Sequence, residues 1–149
     1  MNRAGLLLLF CFSLAVVHAA SQEQTTYYVQ VIWGTDQNRP PGADHREIGP
    51  KLSAKLSPVF RWKHYWETEC RKVQLSKTRV TKVSLANNRT LEIERLKSGD
   101  LEVRLYRRSG LVTKTRQPRN ECMAILGGEK TSRDSFFVVV RPDKPVYGD

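Results

Sequence analysis

Along most of this chain, apolar residues return at every second position. Leu91 and Ile93 alternate with Glu92 and Glu94, and Leu101, Val103 and Leu105 alternate with Glu102, Arg104 and Tyr106. Side chains of a strand point to opposite faces in turn, so this spacing produces ribbons with one apolar and one polar side. Turn residues interrupt the pattern at Ala86-Asn87-Asn88-Arg89, Lys97-Ser98-Gly99-Asp100 and Arg108-Ser109-Gly110. Short alternating runs between regularly spaced turns define an antiparallel architecture. The expectation is an all-β domain: an antiparallel β-sandwich, or partly open barrel, of about eight short strands with one short helix.

The remaining segments fit around that frame. Tyr27 to Trp33 alternates and reads as a strand; Gly34 to Glu47 is polar, broken by Pro40-Pro41-Gly42, and reads as a long loop. Ile48, Leu52, Leu56 and Val59 recur at helical spacing, which predicts a helix over Pro50–Ser57 ended by Pro58. In FRWKHYWETECRKVQL, from Phe60 to Leu75, the residues Phe60, Trp62, His64 and Trp66 take alternate positions. A helical start at Ser57-Pro58 competes there, but aromatic content favours a strand. Its aromatic face is read as core packing rather than as a stacking platform, because large aromatics supply much of a small domain's buried area. Cys70 keeps the even register of Trp66, whereas Val73 and Leu75 are odd, so a bulge or turn is expected near Arg71. Cys122, Ala124 and Leu126 suggest another strand, closed by Gly127-Gly128. The run Phe136–Val140 has no alternation and suits a strand covered on both faces, ended by Pro142.

Arg3, the apolar run Leu6–Val17 and the small-residue site Val17-His18-Ala19 read as a secretory signal peptide over 1–19. A mobile leader over 20–26, a single β-sandwich domain over 27–142 and a loose tail over 143–149 complete the organisation. The apolar run is shorter than the roughly 20 residues a spanning helix needs, and the mature chain shows no membrane span. Secretion or periplasmic export follows as the expected location. Cleavage removes Cys11 and leaves Cys70 and Cys122, for which one disulfide is the expectation in an oxidising compartment. Such a bridge would stabilise by about 4 kcal/mol. Two buried free thiols, or a metal site with His45 or His64, are the alternatives; zinc prefers more ligands at closer spacing. No metal or cofactor is assigned.

The formal net charge of +10 favours anionic partners. Between Arg104 and Arg119 lie six basic residues, Arg104, Arg107, Arg108, Lys114, Arg116 and Arg119, and no acid. Arg107 and Arg108 fall at a hairpin tip. Arginine forks match phosphate, sulfate and carboxylate, so these six form the candidate anion-binding face for a polyanion or an acidic protein surface; a solvated basic face is the plainer reading. Arg61, Lys63, Arg71 and Lys72 extend it only if their strands are neighbours. Export argues against nucleic acid. Asn88-Arg89-Thr90 matches the N-glycosylation acceptor pattern on a turn.

Enzyme signatures are missing from the sequence: it has no Gly-x-Ser-x-Gly elbow, no phosphate-cradling glycine loop, no His-Glu-x-x-His and no Cys-x-x-Cys. His45, with Asp36 and Asp44 near it, offers proton-transfer groups without a nucleophile. At IGPKLSAKLSPVFRWKHYWE, LEVRLYRRSGLV and ILGG…FFVVV, the chain resembles small exported bacterial β-rich proteins of unknown function. The resemblance implies a β-sandwich and a bacterial, exported setting, in which Asn88 would carry no glycan. The function expected is a binding or envelope-accessory module. An extracytoplasmic hydrolase using loop residues and a structural subunit of an envelope assembly are the alternatives.

Overall fold

The structure, a computed structural model, describes residues 24–39, 42–130 and 132–147. The signal-peptide expectation, residues 20–23 of the leader and Pro40-Pro41 lie outside the described residues. Two antiparallel sheets form the domain. The first contains β1 (Thr25–Thr35), β2 (Arg46–Glu47), β3 (His64–Leu75), β8 (Ala124–Lys130) and β9 (Asp134–Arg141), in the order β2-β3-β1-β9-β8. The second is a meander of β4 (Thr81–Leu85), β5 (Arg89–Arg95), β6 (Leu101–Arg107) and β7 (Gly110–Gln117). The sheets face each other without closing into a barrel; β4 passes beside β3, and β7 beside β8. One helix, α1 (Pro50–Phe60), covers the outer face of the five-stranded sheet.

The five-stranded sheet is therefore the middle of three layers, with a separate core on each side. Val29, Val31, Val138 and Val140 meet Leu91, Ile93, Val103 and Leu105 between the sheets. Ile32, Phe137 and Val139 point the other way and meet Leu52 and Leu56 of α1. This is why Phe136–Val140 lacks alternation: β9 is central in its sheet and is covered on both faces.

The chain departs from its period-two reading at β3. Phe60 belongs to α1, and Arg61 ends the helix in the left-handed region at φ 58°, with its N–H donated to Ser57 O at 3.1 Å. Pro58 lies inside the helix rather than stopping it. Near the C-terminal end it removes only one backbone bond, and the extra turn is held by the Phe60 ring against Phe137, with centroids 4.0 Å apart. Within β3, Tyr65 and Glu67 point toward the helix-side core, while the expected aromatic face is divided. Phe60 and Trp62 pack on the helix side; His64 and Trp66 stack on the opposite face, 6.3 Å between centroids. Gly34 makes this possible, because a Cβ there would lie 2.5 Å from the Trp62 ring. The parity change falls at Thr68, three residues before Arg71: Val31 pairs with Glu69 and Ile32 with Glu67, leaving one residue bulged.

Cys70 and Cys122 are free and exposed, so the expected disulfide is not formed. The topology explains the miss. Cys70 is on β3, and Cys122 lies two residues before β8 at the far edge of the sheet, with β1 and β9 between. Three strand spacings span roughly 14 Å, against Cα separations of about 4.4–6.8 Å for a bridged pair. Three further boundaries move. β1 begins at Thr25, within the expected leader, and β8 continues through Gly127 to Lys130. The tail, expected to be loose, is docked as far as Tyr147: Val146 O accepts the Gly49 N–H at 3.0 Å, and Tyr147 bridges to Ile48.

Candidate anion-binding site

The six basic residues are separated by the meander. Register sets Arg104 opposite Glu92 on β5 and Lys114 on β7, with Glu94, Glu102 and Arg116 one rung along. Arg104 donates Nε to Glu102 Oε1 at 2.7 Å and Nη1 to Glu92 Oε2 at 3.2 Å, and Nη2 bonds Glu94. These three carboxylates hold the guanidinium still more firmly protonated, Glu102 first. Reciprocally, Glu92 is held below the usual carboxylate range by its bonds from Lys82 and then Arg104, and Glu102 by Arg104. Arg116 is paired with Asp100 at 2.6 Å and donates to Ser98 Oγ at 3.2 Å, which depresses the Asp100 carboxyl. The Arg119 backbone N–H also donates to Asp100, at 3.2 Å. The outer face is thus a mixed-charge ladder. Glu92 and Glu94 come from the neighbouring strand β5, Asp100 from the turn before β6, and Glu102 from β6 itself, so all of them lie outside the acid-free run 104–119.

Arg107 and Arg108 are placed differently. The β4–β5 and β6–β7 connections leave the meander at the same end because β5 and β6 are antiparallel neighbours. Asn87 and Asn88 turn the first at φ 59° and 56°, and Gly110 completes the second at φ 117°. Arg108 Nη2 reaches Asn88 Oδ1 at 3.3 Å, joining the two tips. Two hollows of about 260 and 400 Å³ open around them, lined by Asn88, Arg107 and Arg108 in common and by no acidic side chain. Beneath, Arg89 is buried with its guanidinium 5.3 Å from the centre of the Phe136 ring. Arg71, considered as an extension of the patch, pairs with Glu69 at 2.8 Å, and Glu69 also accepts the Ala86 N–H at 2.8 Å. That carboxylate ties the first tip to β3. Arg61 and Lys63 lie at the α1–β3 connection, where the Lys63 N–H donates to Asp36.

A second polar group, on the helix side of the five-stranded sheet, was not foreseen. Buried Glu67 accepts from Gln30 Nε2 at 2.5 Å and from the Tyr147 hydroxyl at 2.9 Å. Burial, then the bond to Glu67, pushes the Tyr147 phenol up to about 12. Although Cys70 is exposed as a residue, partial burial of its sulfur and then the Glu67 charge push the thiol up to about 11, so it stays protonated at neutral pH and is a poor nucleophile or metal ligand. On the same sheet face lies Arg141, only 4% exposed. The signal for both was available: Tyr65 and Glu67 share one parity, and Arg141 continues Phe137 and Val139.

His64 Nδ1 lies 3.8 Å from Glu47 Oε1, and the His45 backbone N–H closes a turn onto Gly42 O. Among the described residues, no three His, Cys, Asp or Glu side chains gather in a way that would hold a metal ion, and no helix is long and apolar enough to cross a membrane. No family model, curated protein or solved structure matches the chain.

Proposed function

We propose that the protein is a secreted or periplasmic binding module, an envelope accessory, that engages a polyanion or acidic protein surface through Arg107 and Arg108. The observation that carries this reading is the pair of adjoining hairpin ends, whose hollows are lined mainly by arginine, asparagine and serine, with Leu85 and Thr90, and by no acid. The acids of the same sheet are held by Lys82, Arg104 and Arg116. Of the six residues, Arg104 and Arg116 are taken up by carboxylates, and the reading centres on the pair at the tip. Guanidinium forks there suit bidentate contact with sulfate, phosphate or carboxylate, and hairpin ends project from a rigid scaffold toward a large partner. The location outside the cytoplasm rests on the leader pattern of residues 1–19.

A sulfated polysaccharide such as heparin is the direct probe. It should bind saturably at about 20 mM salt and weaken markedly by about 300 mM, as screened surface charge requires. Arg107→Ala/Arg108→Ala should lose roughly tenfold in affinity, whereas Arg116→Ala, removing an arginine already paired to Asp100, should change it little. No binding at low salt, or equal losses in both variants, would end the reading.

A further inference from the structure

We propose that the cavity between the N-terminus of α1 and the end of β9 binds a small organic anion, its oxyanion head on Arg141 and its apolar body against Pro50, Leu52 and Val146. The cavity holds about 420 Å³ and is lined by these residues together with Gly49, Lys51, Asp143 and Lys144. That volume lies in the range of small-molecule sites and exceeds what a bare ion needs.

Arg141 is the first observation. Arg141 is only 4% exposed, yet among the described residues its side chain makes one hydrogen bond, from Nη2 to the neutral Lys144 carbonyl at 3.5 Å. Its Nε has no partner, and among the described residues no carboxylate lies within ion-pair distance of it. A buried charge with no described carboxylate at ion-pair distance is costly, and a bound anion would lower that cost.

The helix end is the second, independent observation. α1 starts at Gly49 without a side-chain cap, and its first turn contains no acid. Gly49 N–H is taken by Val146 O, Pro50 has none, and Leu52 and Ser53 donate to Gly49 O. Lys51 N–H remains the first-turn donor with no acceptor among the described residues. Such an end attracts negative charge. The single acid lining the cavity, Asp143, is half exposed and lies 3.7 Å from Lys51 Nζ, so Lys51, Lys144 and Arg141 outnumber it. Apolar Pro50, Leu52 and Val146 beside these cations give the site its amphiphilic character.

The test titrates the full chain with hexyl phosphate and hexanoate, with inorganic phosphate and hexanol as partial ligands, following amide and arginine side-chain resonances. Saturable binding of at least one hexyl anion should shift the Lys51 amide and the Arg141 Nε–H, and should be at least about tenfold tighter than either partial ligand. Arg141→Met, which replaces a buried charge with an apolar chain, should lose at least about tenfold in affinity. Should that variant not fold, Lys51→Glu/Lys144→Glu, both exposed, should weaken binding to a similar extent. Arg107→Ala/Arg108→Ala should leave it unchanged, which separates this site from the hairpin tips. Vesicles containing phosphatidylglycerol distinguish the source of the head group: shifts at Lys51 and Arg141 that require the vesicle, and not the free hexyl anions, overturn a small-molecule site. So do undiminished binding by Arg141→Met, shifts confined to Arg107 and Arg108, or no saturation.

Discussion

The three-layer arrangement makes a quantitative claim about stability. Leu56 of α1 and Leu91 of β5 are both fully buried, but in different cores. Leu→Ala in a buried site costs about 2–5 kcal/mol, and the value depends on how far the surroundings can close the cavity. Leu91 sits between two sheets whose backbones are fixed by their ladders, so collapse is limited and a cost of about 4 kcal/mol is expected. Leu56 lies on a short helix that can settle toward Phe137 and Val139, so about 2–3 kcal/mol is expected. The two cores share no buried residue, hence mutations across the middle sheet should add. Leu56→Ala combined with Ile93→Val, itself costing about 1 kcal/mol, should equal the sum of the singles within about 0.5 kcal/mol. Urea unfolding followed by tryptophan emission measures the parent and all four variants, and an unchanged urea dependence confirms that only stability moved. Equal costs for Leu56 and Leu91 would refute the difference in how the two sites close, and a coupling well above about 0.5 kcal/mol would refute two separate cores.

Gly34→Ala would bring a Cβ to 2.5 Å from the Trp62 ring and 3.0 Å from Phe137; a loss of about 1–3 kcal/mol with a shifted tryptophan emission is expected from urea unfolding. Glu92, Asp100 and Glu102 have folded-state pKa values below their ordinary ones. Their stabilisation is therefore present above the ordinary carboxylate pKa, near 4, and is lost as pH falls through the depressed values. Urea midpoints measured from pH 6 to pH 2 should drop in that window, and Arg104→Met should flatten the drop. Folded protein from Ser21 onward should titrate two free thiols, one each from Cys70 and Cys122. In Cys122→Ser, alkylation of Cys70 should be slow at pH 8 and still rising at pH 10, as a thiol at about 11 requires; a plateau near pH 9 would contradict it.

What the sequence reveals depends on whether a feature is local. β5, β6 and the turns between them are legible because alternation and the turn residues at Asn87, Asn88, Gly99 and Gly110 act within a few positions. β9 is legible because burial on both faces leaves an unbroken apolar run. The Phe60–Leu75 stretch misleads for two local reasons. The end of a helix and the start of a strand can carry the same aromatics, and one bulged residue at Thr68 exchanges the faces on either side of it.

Function depends more on what is not local, and the two candidate sites differ in this respect. Arg107 and Arg108 could be placed at a tip because the turn chemistry fixes the hairpin. The Glu102 partner of Arg104 is local, two residues away on the same face, but Glu92, Glu94 and Asp100 reach Arg104 and Arg116 only through strand pairing. The same non-locality defeats the cysteine pairing, where spacing along the chain conceals two intervening strands. For Arg141 the parity with Phe137 and Val139 was readable, and it assigned a charge to the helix-covered face. Only the fold shows what surrounds that charge: an uncapped helix end, a docked tail and no carboxylate within ion-pair distance among the described residues. A cation at an inward register position is thus a reason to look for its counter-ion, and the absence of a described carboxylate partner is what turns the Arg141 cavity from a packing detail into a candidate site.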